Sequence, residues 1–169
     1  DDEYEFLSKE ALNLSMQMIK SDLNTLGISH DNFISEKSIV ESKTLDSAIN
    51  LLKKTNYVEE GYLDPPKGEE IKNWKKTKRL LFKSTLFGDD SNRALQKNDG
   101  TWTYFANDIA YHFNKVSRNY DKLINVLGAD HTGYIKRIES AVKALSQNKT
   151  ILECKVCQLV KLFKNGEPF

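Results

Sequence analysis

The stretch Leu123-Ile124-Asn125-Val126-Leu127-Gly128-Ala129-Asp130-His131 decides the fold of this chain. Five mostly apolar residues end abruptly at a glycine, and a helical pattern follows. From Gly133 to Leu145, the residues Ile135, Ile138, Ala141, Val142 and Leu145 fall on one face. A second apolar run, Ile151 to Leu159, comes next. Strand, helix, strand in this order predicts a parallel α/β unit with a right-handed crossover. In such units ligands sit beyond the carboxyl ends of the strands. Gly128 stands at that end, where the missing side chain admits a ligand to the backbone. Asp130 beside it can accept hydrogen bonds from vicinal ribose hydroxyls, and His131 can donate or accept. On local pattern alone, an aspartate capping a helix is the better explanation, because Gly-x-Asp turns are common.

Upstream, Thr103 to about Arg118 reads as a helix. Ala106, Ile109, Ala110 and Phe113 form its core stripe, and Tyr104, Asp108, Tyr111 and Lys115 form a polar stripe beside it. An aspartate on such a border suits a cationic ligand, because a carboxylate pairs bidentately with a guanidinium. A solvated face with an ordinary surface lysine at position 115 is the plainer explanation.

The first hundred residues have a different texture. Tyr4 to Leu26 reads as one helix with a wide apolar face, stopped by Gly27. A second helix is predicted from Thr44 as N-cap, with Leu45, Ala48, Ile49 and Leu52 inward. Tyr57-Val58 and Tyr62-Leu63, around Glu59-Glu60-Gly61, predict a small hairpin. Asp64-Pro65-Pro66-Lys67-Gly68 breaks regular structure. Leu80 to Leu86 and Arg93 to Gln96 read as strands, the latter turning at Asn98-Asp99-Gly100.

Composition bounds the rest. A chain of 169 residues can bury roughly 70% of its unfolded surface. Its 25 basic and 24 acidic residues leave a net charge of +1, which argues against nucleic-acid binding by bulk charge. A local patch remains open: Lys67, Lys72, Lys75, Lys76, Lys78, Arg79 and Lys83, with Trp74 and Phe82 interleaved, could follow an RNA backbone or simply decorate a surface. No apolar run nears the ~18 residues of a membrane span, and a soluble, cytoplasmic protein is expected. Cys154 and Cys157 form a CxxC without a second ligand pair and are read as small hydrophobes in a buried strand. Asp89-Asp90 lacks a matching cluster for a metal, and His30 is isolated. Asn165-Gly166 is a strong hairpin signal followed only by Glu167-Pro168-Phe169, from which an excised segment of a longer polypeptide is expected.

Taken together, Arg93-Ala94-Leu95-Gln96-Lys97-Asn98-Asp99-Gly100, Thr103 to His112 and Ile124 to Tyr134 resemble the bacterial-type arginyl-tRNA synthetases, of class I. Lys161 to Phe169 is similar to the run leading into that family's KMSKS-type loop, and Phe33-Ile34-Ser35-Glu36-Lys37-Ser38 to its insertion. The resemblance implies an α/β fold: a partial Rossmann-like catalytic domain with an α+β insertion domain. It divides the chain into an insertion of helices and short strands over 1–92 and a second-half catalytic segment over 93–169, truncated before the KMSKS-type loop.

The implied enzyme is a ligase that activates L-arginine with ATP and transfers it to the 3′ end of tRNA(Arg). Its partners are tRNA(Arg), L-arginine, ATP and the remaining domains of the parent protein, with no membrane. By the same resemblance, Tyr104, Asp108 and His131 bind L-arginine. Gly128, Asp130 and His131 bind ATP through its ribose, and the backbone near 158–160 lies along the adenine. No residue is assigned as acid, base or nucleophile. Mg2+ is expected for the full-length enzyme, without a site in this chain. The alternative is a non-enzymatic α/β nucleotide- or RNA-binding module, motivated by the basic stretch. The HIGH and KMSKS-type motifs do not occur in the sequence, so residues 1–169 alone are expected to give no arginylation of tRNA(Arg). Charging above background in a radiolabelled-arginine assay would contradict this.

Overall fold

The computed structural model describes residues 2–63 and 77–168. The chain forms two compact units, Asp1–Ile34 and Ser35–Phe169. The first unit is helix α1 (Asp2–Thr25) and its exit. Asp2, Glu3 and Glu5 in the first turn complement the positive end of the helix dipole. At the other end, Ile28 N–H donates to Leu23 C=O at 2.9 Å and Gly27 N–H to Asn24 C=O at 3.0 Å. This paired closure needs a left-handed residue, and Gly27 has φ +73°. The broad apolar face read from the sequence exists, yet no residue of α1 is buried.

The second unit holds the core. Helices α2 (Glu36–Glu41) and α3 (Thr44–Lys54) lead into strand β1 (Val58–Gly61), β2 (Arg79–Phe82) and β3 (Arg93–Ala94). These make an antiparallel sheet in the order β1-β2-β3. The hairpin expected within residues 57–63 is not formed: β1 pairs with β2, from Val58↔Phe82 to Gly61↔Arg79. Short apolar runs do not specify their partners, and the distant Leu81 and Phe82 bury more surface than a local turn would. The strand expected over Leu80 to Leu86 is cut short at Phe82 and gives way to a 3-10 turn, Ser84–Phe87. Thr44 is also not the cap of α3. Lys43 takes that position in the left-handed region, φ 56°, and the Thr44 hydroxyl lies 2.6 Å from that of Ser42.

Helix α4 (Tyr104–Val116) follows, and here the cap is Thr103. Its hydroxyl accepts from Ala106 N–H at 3.3 Å and donates to Ala94 C=O at 3.0 Å, so one side chain starts the helix and ties it to β3. Strand β4 (Lys122–Gly128), helix α5 (Ile135–Ser146) and strand β5 (Ile151–Cys157) complete the predicted strand–helix–strand unit. β4 and β5 pair in parallel from Lys122↔Ile151 to Gly128↔Cys157. Their inner face carries Leu123, Asn125 and Leu152, all buried. The outer face exposes Ile124, Val126 and Ile151 and is crossed by the ion pairs Lys122–Glu153 and Lys155–Glu153. The strand is thus not buried on both sides: Cys154 is half-buried and Cys157 exposed, both as free thiols. At the end of the described chain, β6 (Phe163–Lys164) and β7 (Glu167–Pro168) pair across Asn165 and Gly166, at φ 55° and 84°. Two residues suffice for the second arm of the expected hairpin.

One hydrophobic cluster joins Leu45, Leu52, Val58 and Phe82 to Phe105, Ile109 and Leu145. It therefore runs across the 92/93 boundary placed by the sequence reading, whereas the compact units divide at Ile34/Ser35. Phe82 is fully buried, with ring centroids 6.0 Å from Phe87 and 6.1 Å from Phe105. Phe82→Ala is expected to lower unfolding free energy by about 3–5 kcal/mol. Leu159→Ala, at a residue 86% exposed, should change it by less than about 0.5 kcal/mol. Urea titrations of both variants check this; equal midpoint losses would contradict the assignment of the core.

Candidate functional site

The capped start of α4 sets the helix phase, which places Phe105, Ala106, Ile109, Ala110 and His112 in the protein and Asp108 at the border. Beside it lies a cleft of about 390 Å³. Asp108, Tyr111, His112 and Lys115 of α4 line one wall, residues 124–127 of β4 another, and His131, Tyr134 and Ile138 a third. Tyr134 O–H donates to Asp108 Oδ2 at 2.6 Å. Among the described residues this is the carboxylate's one hydrogen bond. Burial drives the Asp108 carboxyl above the ordinary aspartate range, and the bond from Tyr134 only partly opposes it. The Tyr134 hydroxyl is pushed up as well, first by burial and then by that bond.

Behind Asp108 runs a chain of donors with one direction. Lys115 Nζ, which can only donate, gives a hydrogen bond to Asn125 Oδ1 at 2.9 Å. The Asn125 amide nitrogen then faces His112 Nε2 at 3.0 Å and donates to it. Nε2 is therefore unprotonated, and Nδ1–H donates to the Asp108 backbone carbonyl at 2.8 Å. Burial takes the His112 pKa down to about 4, against the pull of that carbonyl, and the Lys115 charge adds to the fall. Lys115 is itself lowered, chiefly by burial, and its ammonium lies 4.4 Å from the Tyr111 ring centroid.

The turn after β4 is a 3-10 segment, Ala129–Tyr134, with Gly128 in extended conformation before it. Thr132 O–H donates to Ala129 C=O at 2.6 Å. The Asp130 side chain is 81% exposed and lies 3.5 Å from His131 Nε2. A Cβ on Gly128 would collide with Asp130 Oδ1, so the glycine leaves room for that carboxylate to fold back over the strand end.

Of the residues singled out from sequence, the cleft gathers Asp108 and His131. Gly128 and Asp130 adjoin its rim through their neighbours Leu127 and His131. Tyr104 does not line it. As the first residue of α4 it is 80% exposed, with Lys97 Nζ 5.9 Å from its ring centroid. Sequence reasoning missed Tyr134, His112 and Asn125, and took Lys115 for a surface lysine when it is half-buried. Signals were present. His112 lies one turn after Asp108, and Asn125 is a polar residue at an inward strand position.

The other candidates resolve structurally. Asp89 is engaged bidentately by Arg93, Nε and Nη2 each at 2.7 Å. His30 packs its ring 5.5 Å from Phe33. Lys67, Lys72, Trp74, Lys75 and Lys76 lie outside the described residues. Lys78 pairs with Glu60 at 2.7 Å and Lys83 with Glu59 at 3.4 Å. Among the described residues no group of three or more His, Cys, Asp or Glu could hold a metal ion, and no helix is long and apolar enough to cross a membrane.

Comparison with known proteins places this fold among the aminoacyl-tRNA ligases. Over 172 residues the chain is 55% identical to the arginine–tRNA ligase of Pelagibacter ubique, covering 99% of this chain and 30% of that protein. It is 52% identical over 159 residues to that of Roseobacter denitrificans, covering 94% and 27%. A crystal structure of an arginyl-tRNA synthetase from Campylobacter jejuni superimposes with a TM-score of 0.75 at 32% identity, over 96% of this chain and 32% of that one. The arginyl-tRNA synthetase of Plasmodium falciparum shares the fold, with a TM-score of 0.66 at 16% identity over 94% and 25%. No protein-family model matches the chain. The chain belongs to the arginine–tRNA ligase family, as the counterpart of one portion: it spans about 30% of the length of the curated relatives it matches.

The buried imidazole has a measurable consequence. The folded pKa of His112, about 4, lies below the ordinary 6.5. The unfolded chain therefore binds the proton first, and stability present above about pH 6.5 is lost as pH falls to about 4. The gap corresponds to about 3 kcal/mol. Unfolding free energy measured by urea at several pH values should fall more steeply over this range for the wild type than for His112→Gln. Parallel curves would contradict it.

Proposed function

We propose that this chain is the part of an arginine–tRNA ligase that holds L-arginine and the ribose of ATP. The observation that carries the reading is the juxtaposition in one cleft of a half-buried carboxylate, Asp108, with His131 of the turn closing strand β4. Asp108 spends one hydrogen bond on Tyr134, which leaves acceptor capacity on its other oxygen. A guanidinium satisfies that capacity with parallel N–H donors and supplies the opposite charge a desolvated carboxylate needs. Tyr104, one turn before Asp108, is assigned to the arginine side by the family resemblance, although its side chain is exposed outside the cleft. Gly128 and Asp130, at the carboxyl end of a parallel strand, form the ribose side, and His131 stands between the two.

In this reading residues 93–169 are a second-half segment of a Rossmann-like catalytic domain and residues 1–92 its insertion domain. The parent protein, cytoplasmic and with further domains, joins arginine to ATP as an adenylate and passes the arginyl group to a ribose hydroxyl at the 3′ end of tRNA(Arg). The residues here position substrates, and none is assigned as an acid, base or nucleophile. Catalysis of this kind rests on orientation and on charge stabilisation of the transferring phosphate, and the HIGH and KMSKS-type motifs that supply the latter in the family are not in this sequence. Mg2+ belongs to this reading as a requirement of the full-length enzyme.

In the full-length protein, Asp108→Ala should raise the KM for arginine by ~1–3 kcal/mol, the worth of one charge-assisted bond. Asp130→Ala should weaken ATP instead. Steady-state pyrophosphate exchange separates the two. An unchanged arginine KM would remove Asp108 from the pocket, and an equal loss for every substrate would point to misfolding.

A further inference from the structure

Asn125 occupies an inward position of β4 that its neighbours Leu123 and Leu127 mark as core. A buried amide is costly unless its groups are bonded. Here each end has one partner, and both partners are on α4: Lys115 Nζ on Oδ1 and His112 Nε2 on Nδ2. His112 passes the connection to the Asp108 backbone by its Nδ1–H. The helix that carries Asp108 is thereby bonded to the strand that ends, three residues later, in the Gly128–His131 turn. Apolar contacts alone let a helix slide on a strand at little cost. Hydrogen bonds of 2.8–3.0 Å with fixed directions do not.

We propose that Asn125 is a positioning residue for this site: by accepting from Lys115 and donating to His112 it clamps α4 to β4 and sets Asp108 at a fixed distance from the Gly128–His131 turn. The inference rests on the functional reading above for what the two groups bind, while the clamp itself is a statement about bonds. Its direction is forced. Lys115 has only donors, so Asn125 must present its oxygen there and its N–H₂ to His112, which must be neutral with its proton on Nδ1. The titratable and charged groups around it are Asp108, Tyr111 and Lys115 on α4, His131 and Tyr134 before α5, Cys154 opposite Asn125 on β5, and, acting through Cys154 and Asp108, Glu139 and Glu36.

Asn125→Asp tests the direction without changing the shape. An aspartate still accepts from Lys115 but cannot donate to Nε2. The clamp can then close only when His112 takes a second proton, which the new carboxylate favours. In the full-length protein the arginine KM of the variant, divided by that of the wild type, should be about five-fold or more near pH 8.5 and fall toward one near pH 6, the scale of a single lost hydrogen bond. His131 lines the same cleft, but it is common to both proteins and cancels in the ratio. A ratio that stays at one, or that does not change with pH, while Asp108→Ala still raises the arginine KM, overturns the clamp and leaves the arginine site standing. If Asp108→Ala has no effect on arginine, the functional reading fails instead. In either case, including misfolding of the variant, nitrogen NMR of the His112 imidazole in the wild-type protein decides the clamp. A neutral ring protonated on Nδ1 near pH 7 supports it; a ring protonated on Nε2, or on both nitrogens, refutes it.

Discussion

Helix α4 must be buried on most of its girth, and the second unit is arranged around that constraint. It packs against α2, α3 and α5, and Phe105, Ala106, Ile109 and Ala110 vanish into the core. Alanine recurs where helices meet: Ala48, Ala106, Ala110, Ala141 and Ala144 are all sealed from solvent. Small side chains let helix axes approach, and the larger Phe82, Leu52 and Leu145 fill the spaces between. A helix enclosed this way has little tolerance for an unbonded polar group. Four of its polar residues, Asp108, Tyr111, His112 and Lys115, lie together on the cleft.

Burial acts on these groups in opposite senses. It raises the carboxyl of Asp108 and lowers the imidazole of His112 and the ammonium of Lys115. Each shift disfavours charge, and each is the expected response of an acid or a base to losing water. Burial thus presses each of these groups toward its neutral form. Under the proposed reading, a guanidinium would reverse this for the carboxylate, whereas His112 and Lys115 are already bonded to Asn125 and to the backbone.

Much of this was legible in the residues. The β4–α5–β5 unit followed from periodicity and length, and α4 from its two stripes. The family resemblance, rather than any local pattern, puts Asp108 and His131 beside one ligand, and the fold brings both to one cleft. What escaped depended on distance along the chain. The pairing of β1 with β2 bridges a break that no local pattern spans, and it replaced the expected hairpin around Glu59-Glu60-Gly61. The cap of α3 fell to Lys43 rather than Thr44 because a left-handed residue was needed for the turn, a demand of tertiary geometry. Lys115 and Asn125 looked ordinary singly; only the approach of α4 to β4 makes them partners. Tyr104 shares a stripe with Asp108, yet at the first position of α4 it is largely exposed and does not line the cleft.

The outer face of the β4–β5 pair carries a further consequence. Ile124, Val126 and Ile151 lie open there on strands with regular backbone, the kind of surface that recruits other strands into stacked aggregates. Lys122, Glu153 and Lys155 interrupt that apolar row. The two lysines draw the Glu153 carboxyl down to about 2, so it keeps its charge through any ordinary acidification. Anything that covers this face must strip water from these paired charges along with the apolar row, so the same three side chains that link the strands set a desolvation cost on burying it.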